Sequence, residues 1–191
     1  MAMPATAHRW TAAEVRALID ESRPSPRYEL IDGELLVTPS PHVPHQDAVG
    51  MLFQLFANYL REQPVGRVFV SPADIELEPE TVLQPDVFVV PLVLGRRPRK
   101  WPDVRALMLA IEIVSPGSAR HDRVTKRRFF QRRGVPEYWV VDLEARVVER
   151  WRPGDERAEV ADERIAWHPT GAATPCAVDL VAFFAEVLDD E

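Results

Sequence analysis

The stretch that decides the fold is Leu107-Met-Leu-Ala-Ile-Glu-Ile-Val114, which reads as a buried β-strand with one acid inside it. Seven of its eight residues are apolar, and Glu112 is the exception. An unpaired carboxylate in such surroundings costs roughly several kcal/mol of desolvation. Glu112 therefore needs a cation, strong hydrogen-bond donors, a metal ion or a proton, and the rest of the chain must provide that partner.

A second apolar run is interrupted by an acid in the same way. It extends from Val82 to Val90 and carries Asp86 directly after a proline, so we expect a bulged or bent strand in which Asp86 shares a face with Phe88. Sequential strands are usually neighbours, which predicts that Asp86 and Glu112 lie side by side. Two such carboxylates repel each other unless a positive charge lies between them. A divalent metal ion fits this position, because Mg²⁺ takes one or two carboxylates, keeps several waters and leaves room for a phosphate oxygen.

The remaining pattern predicts an α+β protein with a largely antiparallel sheet and flanking helices. The expected elements are a short helix after the capping box at Thr11, a hairpin around Asp32-Gly33, a helix from about Pro44 to Gln63, strands at 67–70 and 73–77, a helix from Asp122 to Arg133 closed by Gly134, a hairpin of 137–142 with 146–151, and a short strand or helix at 178–187.

The two-residue turn of the first hairpin sorts its side chains onto two faces. Glu29 and Glu34 fall on one face together with Ile31 and Leu36. The other face is expected to be core, and its members are Tyr28, Leu30, Leu35 and Val37. Two acids therefore share one side of the hairpin.

Composition limits the function classes. The 46% hydrophobic content indicates a globular chain, no apolar run approaches the ~20 residues of a membrane span, and the N-terminus lacks a signal-peptide pattern, so we expect a cytoplasmic protein without membrane contact. The single Cys176 excludes an intramolecular disulfide framework and a multi-cysteine zinc site. The net charge of -7 does not indicate a general polyanion binder.

Lysine is scarce in this chain, because 21 of the 23 basic residues are arginine. The two lysines are Lys100 and Lys126. Lys126 could form an ordinary ion pair with Asp122, four residues before it. It could equally be kept as lysine for catalysis, since a compact ammonium orients water in a way that guanidinium does poorly.

Several blocks of sequence together resemble a known family. These blocks are Tyr28-Glu-Leu-Ile-Asp-Gly-Glu34, Gln84-Pro-Asp86, Glu112-Ile-Val-Ser-Pro116, Asp122-x3-Lys126 and Gly134-Val-Pro-Glu-Tyr-Trp139. Their order resembles the Uma-type family of restriction-endonuclease-like proteins, a branch of the PD-(D/E)xK nuclease superfamily in which the lysine has migrated to the following helix. The resemblance covers about residues 10–152 and implies a restriction-endonuclease-like core there. The length of 191 residues fits a single domain, 1–191, in which residues 153–191 form a C-terminal extension.

The resemblance also implies roles for individual residues. Asp86 and Glu112 would bind the metal, and the carbonyl of Ile113 would be a further ligand. Lys126 would position the attacking water, and Glu34 would complete the cluster through a water or a second metal. Two residues depart from the usual pattern: Val114 stands where the superfamily has its in-strand lysine, and Phe130 stands where the family more often has tyrosine.

The sequence therefore predicts a Mg²⁺-dependent endonuclease, with Mn²⁺ as a possible substitute, acting on DNA. A homodimer would make cleavage of both strands easier. One alternative is a catalytically silent module that keeps the fold and binds nucleic acid or a protein. Another is a metal-free hydrolase that uses Asp86 and Glu112 as an acid/base pair.

Two further features each have a structural and a functional interpretation. His45 is interpreted either as an ordinary residue at a helix N-terminus or as a catalytic residue. The spacing His42-x-x-His45 is a weak zinc pattern, because the sequence offers no third ligand. The segment from Arg120 to Arg133 has seven basic residues and one acid. It is either a solvated helix face or a track for a phosphate backbone.

Overall fold

The computed structural model describes residues 8–22 and 26–189, so most of the N-terminal segment tested for a signal peptide lies outside the described residues. The helices are α1 Ala12–Ser22, α2 Val43–Glu62, α3 Arg127–Arg132 and α4 Leu180–Val187. The strands are β1 Arg27–Ile31, β2 Glu34–Thr38, β3 Gly66–Val70, β4 Val87–Pro91, β5 Leu109–Ile113, β6 Tyr138–Asp142, β7 Val147–Trp151, β8 Glu159–Ala161, β9 Arg164–Trp167 and β10 Cys176–Asp179.

A mixed sheet of six strands organises the fold, in the order β3-β4-β5-β6-β7-β8. Every neighbouring pair is antiparallel except β5 and β6, which run parallel and are joined by a crossover through α3. The stretch that contains Glu112 is β5, an inner strand in which all five residues are buried. The predicted α+β fold is confirmed.

The two faces of the sheet carry different layers. Alternate strand residues such as Val87, Ile111 and Trp139 pack with α2 and α4 in one core. The residues between them, such as Phe88 and Ala110, pack with α3 and the first hairpin in the other core. Glu112 follows Ala110 by two residues, so strand alternation places it on the α3 side.

The first hairpin has the predicted register, with Glu29 opposite Leu36 and Ile31 opposite Glu34. The prediction about its core face was only half right. Leu30 is buried against α1, yet Val37 is 55% exposed. Ile31 and Leu36, on the acid-bearing face, are buried in the core that also contains α3. This face therefore meets the side of the sheet that carries Glu112.

Two predicted strands are shorter than expected. Residues 73–77 and the first part of 82–90 form isolated bridges, Ile75 with Leu83 and Leu30 with Val82, and β4 begins only at Val87. The physical reason is a loss of backbone donors: Pro85 has no N–H, and the N–H of Gln84 donates to a distant side chain, Oε1 of Glu29, at 2.7 Å. Asp86 therefore lies just before the regular strand.

Residues after 152 are built into the same layers. β8 forms the edge strand of the main sheet next to β7, and α4 packs in the core with α2. The boundary expected near residue 152 thus falls between two paired strands. None of the helices in the described part of the chain is long and apolar enough to cross a bilayer.

Candidate active site

Asp86 and Glu112 lie side by side in the wall of one cavity. Antiparallel pairing joins Val87 to Ile111, and one further step of that register brings Asp86 beside Glu112. Both carboxylates are at most 4% exposed, and both line a cavity of about 260 Å³. The other polar residues of its wall include Arg27, His45, Asp122 and Lys126, and the loop after β5 closes one side.

Asp86 is surrounded by hydrogen-bond donors. Nη1 of Arg27 donates to its Oδ1 at 2.8 Å, and the N–H of Ile113 donates to its Oδ2 at 2.9 Å. Nε2 of His45 lies 3.1 Å from the same Oδ2. Burial alone would raise the pKa of this carboxyl, but the bond with His45, the charge of Arg27 and the backbone N–H together hold it below its ordinary value. Asp86 is therefore an ionised carboxylate at neutral pH.

Lys126 is surrounded by carboxylates instead. Its Nζ lies 2.7 Å from Oε2 of Glu29, 3.0 Å from Oε1 of Glu112 and 3.4 Å from Oδ1 of Asp122. All four side chains are buried. Burial would lower the pKa of Lys126, yet the three carboxylates, Glu112 first, raise it well above its ordinary value. The ammonium is therefore charged and can only donate hydrogen bonds.

A wide π-helical turn from His121 to Lys126 places the lysine. It occupies the first half of the segment that the sequence predicts as a regular helix. Asp122 and Lys126 both point inward from it and are buried. Turns of this kind are rare and often occur at functional sites. Here the turn brings a lysine of the crossover helix back over β5.

The site holds more negative than positive charge. Four buried carboxylates, those of Glu29, Asp86, Glu112 and Asp122, stand against two permanent cations, Arg27 and Lys126. Burial raises the pKa of Glu112 well above its ordinary value; Lys126 opposes this, and the three neighbouring acids add to it. Burial likewise raises the pKa of Asp122. The cluster therefore favours uptake of a further positive charge.

The structure separates the two hairpin acids. Glu29 is buried and reaches both Lys126 and the N–H of Gln84. Glu34 is exposed and, within the described part of the chain, it does not contact Asp86, Glu112 or Lys126. The sequence predicts Glu34 in the cluster, but the structure does not place it there; Glu29 is the hairpin acid that lies there. The register of the hairpin could not distinguish the two acids, because Glu29 lies opposite the apolar Leu36 and Glu34 lies opposite the apolar Ile31.

The structure also locates the secondary candidates. His45 joins the cluster through Asp86, whereas His42 is exposed. Ile113 lines the cavity and contacts Asp86 through its N–H, while a role for its carbonyl stays a prediction. Phe130, where a tyrosine is more usual, is buried and packs on the ring of Tyr138.

Much of the basic segment from Arg120 to Arg133 is already paired. Arg123 forms ion pairs with Asp142 and Glu149 at 2.6 Å each, and Arg132 pairs with acids near the first hairpin. Arg127 lies over the ring of Trp151. Arg120 and Arg128 of this described segment are exposed and are available to contact a phosphate backbone.

The donor set fits a hard divalent cation. Within residues 8–22 and 26–189, no group of three or more His, Cys, Asp and Glu side chains forms a ready-made metal cage. Mg²⁺ does not need one, because it takes one or two carboxylates and completes its shell with waters and substrate phosphate. Asp86 and Glu112 are two adjacent oxygen donors at an open cavity with excess negative charge, which matches that preference.

Comparisons with known proteins identify the family and the fold. The sequence model of the Uma2 family, described as "Putative restriction endonuclease", matches residues 12–174. A crystal structure from Anabaena variabilis, described as a putative nuclease belonging to DUF820, superposes with a TM-score of 0.72 at 19% identity. The match covers 91% of this chain and 98% of the other, and at that identity it shows the fold. A search of curated proteins gave no significant match.

Proposed function

Because the chain belongs to the Uma2 family, we propose that it is a metal-dependent endonuclease that hydrolyses phosphodiester bonds of DNA. The observation that supports this most directly is the meeting of Asp86, Glu112 and Lys126 at one cavity, with Nζ of Lys126 3.0 Å from Glu112. Asp86 lies in the segment before β4, Glu112 lies in β5, and Lys126 lies in the turn before α3. In this proposal Lys126 takes the role of the in-strand lysine, because position 114 is a valine.

Each residue has a defined task in this proposal. Asp86 and Glu112 would hold Mg²⁺, or Mn²⁺ in its place, at the cavity. The bound ion would polarise the phosphoryl oxygen and lower the pKa of a coordinated water. Asp86 is suited to hold it because it is already ionised. Glu112 would bind the ion as a carboxylate, since ligands must be deprotonated to bind a metal.

Lys126 acts as a donor in this proposal. Because its pKa is raised, it carries its proton at neutral pH and does not serve as a general base. Its N–H groups can orient the attacking water and stabilise negative charge that develops on the phosphoryl oxygens. Glu29 and Asp122 hold the ammonium at this point.

Cleavage of supercoiled plasmid with Mg²⁺ or Mn²⁺ tests the proposal. We expect nicked or linear product from the wild type, and a loss of about a hundredfold or more in rate for Asp86→Ala and Glu112→Ala. Lys100→Ala is the matched control for Lys126→Ala, because it removes the chain's other, exposed lysine. Cleavage that survives both carboxylate substitutions, or that persists in EDTA, would refute a metal-dependent site at these residues.

The second candidate function is a catalytically silent module that binds nucleic acid or a protein partner. The features that favour it are the net charge of -7 and the valine at position 114, where the superfamily has its in-strand lysine. Salt-sensitive DNA binding without cleavage under any divalent metal would select this alternative. Formation of linear product without a nicked intermediate would instead indicate the paired sites of a homodimer.

A further inference from the structure

Arg27 lines two neighbouring cavities, one of which is the active-site cavity. It is the first residue of β1, and its side chain is 17% exposed. Its Nη1 donates to Oδ1 of Asp86 and to the carbonyl of Gln84, both at 2.8 Å. The same side chain lines a second cavity of about 240 Å³, whose wall also includes Gln84 and Trp101. Arg27 therefore lies between two open spaces.

The two permanent cations of the active-site cavity differ in how they are held. Lys126 is tied to three buried carboxylates and would keep two of them if one were taken away. The carboxylate that Arg27 contacts at this cavity is Asp86. Asp86 is also the carboxylate that the proposed metal needs. A divalent ion at Asp86 would meet the guanidinium at close range, where like charges repel strongly.

We propose that Arg27 is a ligand of the substrate phosphate, and that it rests on Asp86 until a divalent ion takes that carboxylate. This inference rests on the proposed metal site. Guanidinium binds phosphate and carboxylate with the same forked geometry, so an incoming phosphodiester can replace Asp86 as its counter-ion. The exchange gives the metal its carboxylate, gives Arg27 a phosphate oxygen, and leaves no charge in the cavity without a partner.

The first test measures Mn²⁺ binding by calorimetry in the absence of DNA. Arg27→Gln removes the competing cation from Asp86, so we expect it to bind Mn²⁺ about tenfold more tightly than the wild type. Arg16→Gln is the matched control, because Arg16 is an arginine of α1 that pairs with Glu76 away from the cavity. It makes the same change in net charge and is expected to leave Mn²⁺ affinity unchanged.

The second test measures binding of a short DNA duplex by fluorescence anisotropy with Ca²⁺ as the divalent ion. Arg27→Gln is expected to weaken DNA binding about tenfold, because one phosphate ligand is lost. Arg27→Lys keeps the charge and loses the fork, so it should bind Mn²⁺ like the wild type and DNA less tightly. A purely structural role for Arg27 would lower both affinities together. Opposite changes in the two affinities are therefore the signature of the exchange.

The outcomes separate this inference from the proposed function. Equal Mn²⁺ affinity of Arg27→Gln and wild type would overturn the exchange while leaving the metal site in place. If Arg27→Gln does not fold, unchanged DNA affinity of Arg27→Lys would overturn the phosphate role. Absence of Mn²⁺ binding by the wild type would remove the proposed metal site and the inference with it.

Discussion

The two halves of the site are built in opposite ways. On one side a single carboxylate, Asp86, is surrounded by donors from Arg27, His45 and a backbone N–H. On the other side a single ammonium, Lys126, is surrounded by three carboxylates. Asp86 and Glu112 are neighbours with similar burial, yet the pKa of the first is lowered and that of the second is raised. Burial alone therefore does not decide protonation; the local partners do.

This difference indicates that the two carboxylates have different roles. Pairs of acids whose environments push their pKa values apart are typical of catalytic sites. The environment of Asp86 favours its charged form, whereas burial and the neighbouring acids disfavour the charged form of Glu112 until a cation binds. The two halves of the site are therefore expected to respond differently to mutation and to pH.

The largest effect is expected at the ammonium. Lys126→Ala leaves three buried carboxylates facing one another, and breaking a buried ion pair from one side costs about 3–5 kcal/mol. We expect this loss in the free energy of unfolding, measured with urea at neutral pH. Lys100→Ala, at an exposed site, should stay within about 0.5 kcal/mol of the wild type. Similar values for the two variants would mean that the cluster is not formed in solution.

The next effect concerns Asp86. Asp86→Asn removes a charged acceptor from three donors, so it should lower the free energy of unfolding by about 2–3 kcal/mol at neutral pH. Because the folded-state pKa of Asp86 is lowered, its contribution is present above the unfolded pKa of about 4 and is lost as the pH falls through the folded value. The gap between wild type and variant should therefore close in acid. Unfolding curves at a series of pH values measure this gap.

Glu112 should behave in the opposite sense. Its folded-state pKa is raised, so its contribution is present below the unfolded pKa of about 4.3 and is lost as the pH rises through the folded value. Glu112→Gln, which resembles the protonated form, should gain stability relative to the wild type as the pH rises, in the absence of metal. A parallel pH dependence of wild type and variant would contradict the raised pKa.

A smaller effect separates the two hairpin acids. Glu29 positions Lys126 at 2.7 Å, and loss of such a supporting partner typically lowers activity about 10- to 100-fold. Glu29→Gln should therefore slow plasmid cleavage by that factor, whereas Glu34→Gln, at the exposed end of the hairpin, should stay within about twofold of the wild-type rate. Initial rates with Mn²⁺ decide between them. A loss confined to Glu34→Gln would restore the assignment made from sequence.

The smallest effect is expected at His45. His45→Ala removes one of the donors around Asp86 and should lower the free energy of unfolding by about 1.5 kcal/mol. His42→Ala is the natural comparison, since His42 precedes the same helix and is exposed. Equal effects of the two substitutions, measured by urea unfolding, would show that the contact with Asp86 contributes little.

Local patterns predicted much of the fold. Apolar periodicity located α2 and the hairpins β1–β2 and β6–β7 to within a few residues, because helices and strands have fixed periods. The strands expected at 73–77 and at the start of 82–90 were overestimated. There the backbone donor of Gln84 bonds with the side chain of Glu29, far away in sequence, and no local pattern reports such a competitor.

The sequence by itself determined that Asp86 and Glu112 are acids within apolar runs and that Lys126 is one of two lysines in an arginine-rich chain. Those facts depend on residue type and strand period alone. Tertiary structure decided that Glu29 rather than Glu34 faces the lysine, and that Arg27 and His45 surround Asp86. These partners lie 59 and 41 residues away from Asp86. Periodicity shows which face a side chain lies on, but only the packing of hairpin, helix and sheet determines what that face meets.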